Sequence, residues 1–205
     1  MLRYCILLFL IGFSWTLFAQ PSDSWPIFRG EPHLTGVSRT SIPDSPKLLW
    51  TFQTGDNIKS SPVVADGKVV IGSTDGFVYC LDTKGKLLWK VETSNSIEAP
   101  ALILDKTVYV GNLDGMLLAL NLDSGEKLWE YECENQIVGS PNWWSDSKST
   151  FVFVGSYDFF LHCVDGKTGE LKWKYESDNY INGAAASANG KAMFGGCDGF
   201  LHIVD

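Results

Sequence analysis

Short apolar runs broken by glycine recur along the chain, as in VVIG (residues 69 to 72), VYVG (108 to 111) and FVFVG (151 to 155). Successive rather than alternating apolar positions suit strands covered on both faces. The runs belong to a longer period. Placing GKVVIGSTDGFVYCLD, KTVYVGNLDGMLLALN, TFVFVGSYDFFLHCVD and KAMFGGCDGFLHIVD in register superposes Gly72, Gly111, Gly155 and Gly195, then Asp75, Asp114, Asp158 and Asp198. The same register aligns Trp89, Trp129 and Trp173, with Trp50 ahead of them, at spacings of 39, 40 and 44 residues. Each unit reads as an inner strand, a second strand ending at the repeated glycine, a third after the aspartate turn and a last one carrying tryptophan. Four short strands in about forty residues predict a β-propeller blade, so the fold class is all-β, with about four antiparallel blades over residues 47–205.

The turns carry their own signals. Asp75-Gly76, Asp114-Gly115 and Asp198-Gly199 are tight-hairpin dipeptides, because glycine tolerates positive φ and aspartate bonds its own backbone. In the third unit Phe159 replaces that glycine, which predicts a strained or longer hairpin. The four aspartates are also candidates for an acidic rim that attracts a cation or a basic partner, although turn chemistry alone accounts for them.

The amino-terminal stretch is read apart from the fold. Arg3, an apolar run from Tyr4 to Phe18, the small Ala19 and then Gln20-Pro21 read as a signal peptide (residues 1–19) cut after Ala19. The run is shorter than the roughly twenty residues that span a bilayer. Residues 20–46 form an amino-terminal extension, and the mature protein is expected in the periplasm or outside the cell.

Charge and composition narrow the function. The chain has 16 basic against 24 acidic residues, a net charge of −8; loss of Arg3 with the signal peptide makes it −9. No lysine or arginine cluster is present to hold a phosphate backbone, which argues against nucleic acid. Cys80, Cys133, Cys163 and Cys197 contain no C-x-x-C pair, so spacing suggests no metal site. Cys80 and Cys163 fall at one repeat position with Ala119 and read as small buried filler. His33 lies in the extension; His162 and His202 share the third-strand place of Tyr79 and Leu118, a packing position. No nucleophile, base or cofactor-binding set stands out, and none is assigned.

ALNLDSGEKLW (119 to 129) and CVDGKTGELKW (163 to 173) resemble the A-x-D-x-x-T-G-x-x-x-W signature of pyrroloquinoline-quinone-type propeller repeats, and CLDTKGKLLW (80 to 89) resembles it shortened by one residue. WPIFRGEPHLTG is similar to the start of secreted bacterial members of that superfamily. The resemblance implies that Trp89, Trp129 and Trp173 wedge between blades. It admits two functions: a protein-binding scaffold without cofactor, like the propeller subunit of the outer-membrane barrel assembly machinery, or a fragment of a quinone-dependent dehydrogenase. The dehydrogenases carry a vicinal cysteine pair that this sequence lacks, which favours the scaffold. Its partner, a protein or peptide, would dock on the loops DNIKSS, SNSIEA, NQIVGS and NYINGA beside the aspartate turns.

KLLWTFQTG (47 to 55) reads as a lone tryptophan strand, while the last unit has three strands and none bearing tryptophan. Two arrangements satisfy this pattern. Residues 47 to 55 complete the last blade of a four-bladed ring, or the chain is the front of a larger ring. The second is the expectation.

Overall fold

The computed structural model describes residues 24–38 and 40–205. The expected signal peptide lies outside the described residues. Fifteen strands form four antiparallel sheets among those residues. Blade one holds β1 (Val63–Ala65), β2 (Lys68–Gly72), β3 (Phe77–Asp82) and β4 (Leu87–Glu92). Blade two holds β5 (Leu102–Leu104), β6 (Thr107–Gly111), β7 (Met116–Asn121) and β8 (Lys127–Glu132). Blade three holds β9 (Asn142–Ser145), β10 (Thr150–Gly155), β11 (Phe160–Asp165) and β12 (Leu171–Glu176). Blade four has β13 (Ala186–Ala188), β14 (Lys191–Gly195) and β15 (Leu201–Val204). Every blade is a meander in chain order, so each connection is a hairpin. First strands of neighbouring blades approach each other, β1 with β5 and β9 with β13, and therefore line the axis.

Register explains why the repeat positions hold these residue types. The third strand is buried at its four central positions in β3, β7 and β11, as both-face burial requires. The fourth strand instead alternates between exposed and half-buried, because one of its faces is wet. Cys80, Ala119 and Cys163 pair directly with Trp89, Trp129 and Trp173, and a bulge follows at the same place in all three blades. A small residue there leaves room for the indole. The hydrophobic clusters lie between blades rather than within them. Val70 and Val78 of blade one pack with Val108, Val110 and Leu120 of blade two.

Close approach sets the repeated glycines. A Cβ on Gly72, Gly111 or Gly155 would stand 2.2, 2.1 or 2.3 Å from Cγ2 of Ile97, Ile137 or Ile181, each fully buried on the next blade's entry loop. Burying one such isoleucine contributes about 1.5–3 kcal/mol, which any side chain at the glycine would oppose. Gly195 differs, since a Cβ there would meet nothing within 4 Å.

Two features depart from the sequence reading. Residues 47 to 55, expected as a strand, form no ladder with any strand among the described residues, β15 included. Trp50 nevertheless sits against blade one, its indole N–H donating to the Thr83 carbonyl at 3.0 Å. The extension, for which no contacts were foreseen, ties the inner strands together. Trp25 and Val64 exchange two backbone hydrogen bonds, Ile103 N–H donates to the Pro26 carbonyl, and Ser187 N–H donates to that of Pro32. Ile27, fully buried, fixes this segment in the core between blades two and three. No helix among the described residues is long and apolar enough to cross a membrane.

Candidate functional site

Function-bearing chemistry concentrates at one end of the blades, where the entry loops of blades two, three and four each meet two aspartate turns and that of blade one meets its own. Thr74, Leu113, Tyr157 and Cys197 donate backbone N–H bonds to Asn57, Ser96, Gln136 and Tyr180 of their own blade's entry loop. Ile97, Ile137 and Ile181 on the following loops donate back to Ser73, Asn112 and Ser156. Loops and turns thereby form one hydrogen-bonded belt.

The four aspartates have three different tasks within it. Oδ1 of Asp75, Asp158 and Asp198 accepts the amide two residues on, each at 3.0 Å, which closes the turn. Oδ2 of the same residues reaches into the blade junction, to Tyr79 at 2.6 Å and to Nε2 of His162 and of His202 at 2.9 Å. Asp114 faces Leu118 and cannot do this. Its turn is closed by Asn112, whose Oδ1 accepts from Asp114 and Met116, while Asn95 Nδ2 donates to Asp114 at 2.6 Å. The Asp158 and Asp198 side chains are only 5% and 4% exposed, so these carboxylates serve the junction before any rim.

His162 completes a relay between blades. Burial works to raise the Asp158 carboxyl, but His162 and the Phe160 and Glu134 amides outweigh it and hold the group below its ordinary value. An ionised carboxylate only accepts, so His162 Nε2–H donates to Asp158, and Nδ1 meets the Tyr131 hydroxyl of blade two at 2.9 Å. Burial, with nearby negative groups, pushes Tyr131 up to about 12. Asp198, His202 and Tyr175 repeat the arrangement one blade on, with hydroxyl and ring nitrogen 3.1 Å apart. The histidine equivalence is visible in sequence. The tyrosines, two residues after the aligned tryptophans, were the missed half, because pairing across blades leaves no local spacing signal.

Cys133 adjoins the first relay. It follows β8 where Thr93 and Ser177 stand in the neighbouring blades, and its thiol is buried and free. Thr93 and Ser177 donate their hydroxyls to the carbonyls of Gly76 and Phe159. Burial pushes the Cys133 thiol pKa strongly up. The ligand atoms of Cys133, Asp158 and His162 lie within 4.8 Å of one another. Cys80 and Cys163 are also buried and free, and Cys197 is exposed and free.

Phe159 stands apart on this end. It keeps the hairpin the same length but adopts φ of 79°, where Gly76, Gly115 and Gly199 have 84°, 86° and 83°. A bulky residue in the left-handed region is a strained outlier. Its ring lies 5.3 Å from that of Tyr180, which stacks on Tyr157 at 4.7 Å.

The tryptophans occupy the other end of the junctions. Trp50, Trp89 and Trp129 lie where a Cβ on Gly85, Gly125 or Gly169 would come within 2.7, 2.9 or 2.6 Å of the ring. Their indole N–H groups donate to the carbonyls of Thr83, Leu122 and Gly166. Trp173 instead lines a cavity of about 250 Å³ with Trp144, Phe151 and Phe153.

Four-stranded meanders joined by a tryptophan that rests on the next blade's glycine turn define a propeller of pyrroloquinoline-quinone-like repeats. The family model described as outer membrane protein assembly factor BamB matches residues 37–145, and the chain belongs to that family. The crystal structure of BamB from Moraxella catarrhalis superposes with a TM-score of 0.67 at 26% identity, over 77% of this chain and 49% of that one. The chain thus spans about half the length of that relative. The computationally designed Ika4 protein matches at TM-score 0.67 and 20% identity, over 78% of this chain and 97% of that one. Quinohemoprotein alcohol dehydrogenase from Comamonas testosteroni matches at TM-score 0.61 and 21% identity, over 75% of this chain and 27% of that one, a likeness of fold alone. No curated protein matches by sequence.

Proposed function

We propose that the protein is exported by residues 1–19, cleaved after Ala19, and works in the bacterial envelope as a protein-binding scaffold. It holds a polypeptide partner on the loop end of its blades, in the manner of an outer membrane protein assembly factor. The observation that carries this reading is the Tyr157, Phe159 and Tyr180 cluster. Phe159 and Tyr180 are 37% and 42% exposed, so large rings meet solvent where the β10–β11 turn adjoins the next entry loop. Aromatic side chains of this kind anchor protein interfaces. Glycine at 159 would relieve the strain, so a phenylalanine there fits a binding role better than a folding role.

The test places a photo-crosslinking phenylalanine analogue at position 180 or at position 84, on the turn at the opposite end of blade one. A discrete adduct from position 180 alone is expected in envelope fractions, with an outer-membrane assembly component identified in it by mass spectrometry. Phe159→Gly should abolish the adduct while leaving the melting temperature equal or higher. Equal adducts from both positions, or an adduct undisturbed by Phe159→Gly, would refute the docking face.

A further inference from the structure

We propose that Cys133, Asp158 and His162 form a binding site for a zinc-class divalent cation, which staples blade two to blade three. Thiolate, carboxylate and imidazole together make a borderline-soft donor set suited to zinc, with three protein ligands leaving one position for water. The ligands come from two blades, Cys133 from blade two and Asp158 with His162 from the β10–β11 hairpin of blade three. Cys133 is held at the end of β8 by its amide bond to the Gly115 carbonyl, Asp158 by its own turn and by the Glu134 amide, and His162 by β11.

Geometry supports the assignment. Nε2 of His162 and Oδ2 of Asp158 are 2.9 Å apart, a separation two ligands of one ion can have. With metal bonds of about 2.3 Å to sulfur and about 2.0 Å to nitrogen, tetrahedral ligands lie roughly 3.6 Å apart. The sulfur lies within 4.8 Å of both other ligand atoms and moves inward to complete the set. Tyr131 on Nδ1 supplies the outer hydrogen bond that orients a metal-bound imidazole. On binding, His162 stays neutral, because Nε2 gives up its proton in favour of the ion and Nδ1 takes one up to donate to the Tyr131 oxygen, so the one proton released to solvent is that of the thiol.

Blade four is an internal control. Asp198, His202 and Tyr175 repeat the relay, but Ser177 occupies the place of Cys133. The relay therefore serves packing without a metal, and the thiol is what distinguishes the proposed site.

The experiment titrates the mature chain with Co²⁺, in a Cys197→Ser background that removes the exposed thiol. A thiolate-to-cobalt charge-transfer band saturating at one ion per chain is expected, with Zn²⁺ abolishing it by competition and raising the melting temperature. Cys133→Ser, which puts the serine found at the junction of blades three and four into the junction of blades two and three and should fold, must lose the band and the zinc-dependent shift. Tyr131→Phe should weaken Co²⁺ binding about 10-fold or more through the lost orienting bond. His202→Gln should leave the titration unchanged. Absence of a band in the parent, or a band that survives Cys133→Ser, would overturn the proposal.

Discussion

Replacing Trp129 by alanine tests the wedge that joins blades two and three. The ring packs on Gly169, lies 5.7 Å from the Tyr109 ring and donates to the Gly166 carbonyl at 3.1 Å. Truncating a core tryptophan costs about 3–5 kcal/mol, and half-burial places Trp129 near the lower end, about 3 kcal/mol. Roughly 1 kcal/mol of that belongs to the indole hydrogen bond. Trp129→Phe should isolate it. With a urea slope of about 2 kcal/mol/M, the alanine variant should unfold about 1.5 M earlier, followed by far-ultraviolet circular dichroism. Trp173 provides the comparison, because it borders a cavity instead of a glycine turn. Its alanine variant should lose about half as much, having fewer contacts to forfeit. Equal losses at 129 and 173 would refute the reasoning, since the stabilisation would then come from within each blade.

Gly111→Ala should destabilise by about 1–3 kcal/mol through overpacking against Ile137, whereas Gly195→Ala, with nothing within 4 Å, should stay within about 0.5 kcal/mol in the same urea titration. Acid should unfold the protein partly through Asp75. Burial works to raise this carboxyl, yet Tyr79 and the Phe77 and Gly55 amides hold it below its ordinary 3.8. A depressed native pKa contributes stability present above the unfolded value and lost as pH falls through the native one. Asp75→Asn should therefore flatten the stability profile below about pH 4, and an unchanged acid limb would contradict the assignment.

Much of the blade was legible because its causes are local or periodic. Asp-Gly turns, the both-face burial of the second strands, the aligned tryptophans and the small residues at 80, 119 and 163 all recur at fixed spacing, so alignment of the chain with itself exposed them, although not the pairing of tryptophan with small residue. The glycines at 72, 111 and 155 were equally visible, although their reason, an isoleucine from the next blade, was not. What stayed hidden depends on pairing between units. Tyr131 meets His162 and Cys133 meets Asp158 only after blades two and three pack, and neither spacing resembles a metal motif. The extension was opaque for the same reason: Trp25, Pro26 and Pro32 bond through backbone groups, which leave no side-chain signature. Residues 47 to 55 resembled a fourth strand because Trp50 keeps the wedge contact even without a ladder to join.

The junctions also explain why the blades are not interchangeable despite their common plan. At the successive contacts between a fourth-strand position and the next blade's third strand stand Phe52 with Tyr79, Val91 with Leu118, Tyr131 with His162, and Tyr175 with His202. The two tyrosine–histidine contacts set polar group against polar group, Tyr79 gives its hydroxyl to Asp75 and meets Phe52 by its ring alone, and Val91 and Leu118 share one apolar cluster. Setting blade three against blade one would bring His162 to Val91, leaving Nδ1 buried without its tyrosine. An unsatisfied buried group costs about 1–3 kcal/mol, and the orphaned Tyr131 hydroxyl would add its own penalty. The matched contact loses neither. Blade order is thus enforced by mismatch as well as by chain connectivity. The turn aspartates take part in this selection, since a tyrosine or histidine four positions later gives Oδ2 of Asp75, Asp158 and Asp198 a donor in the junction, whereas Asp114, four before Leu118, accepts from Asn95 of the loop through Oδ1.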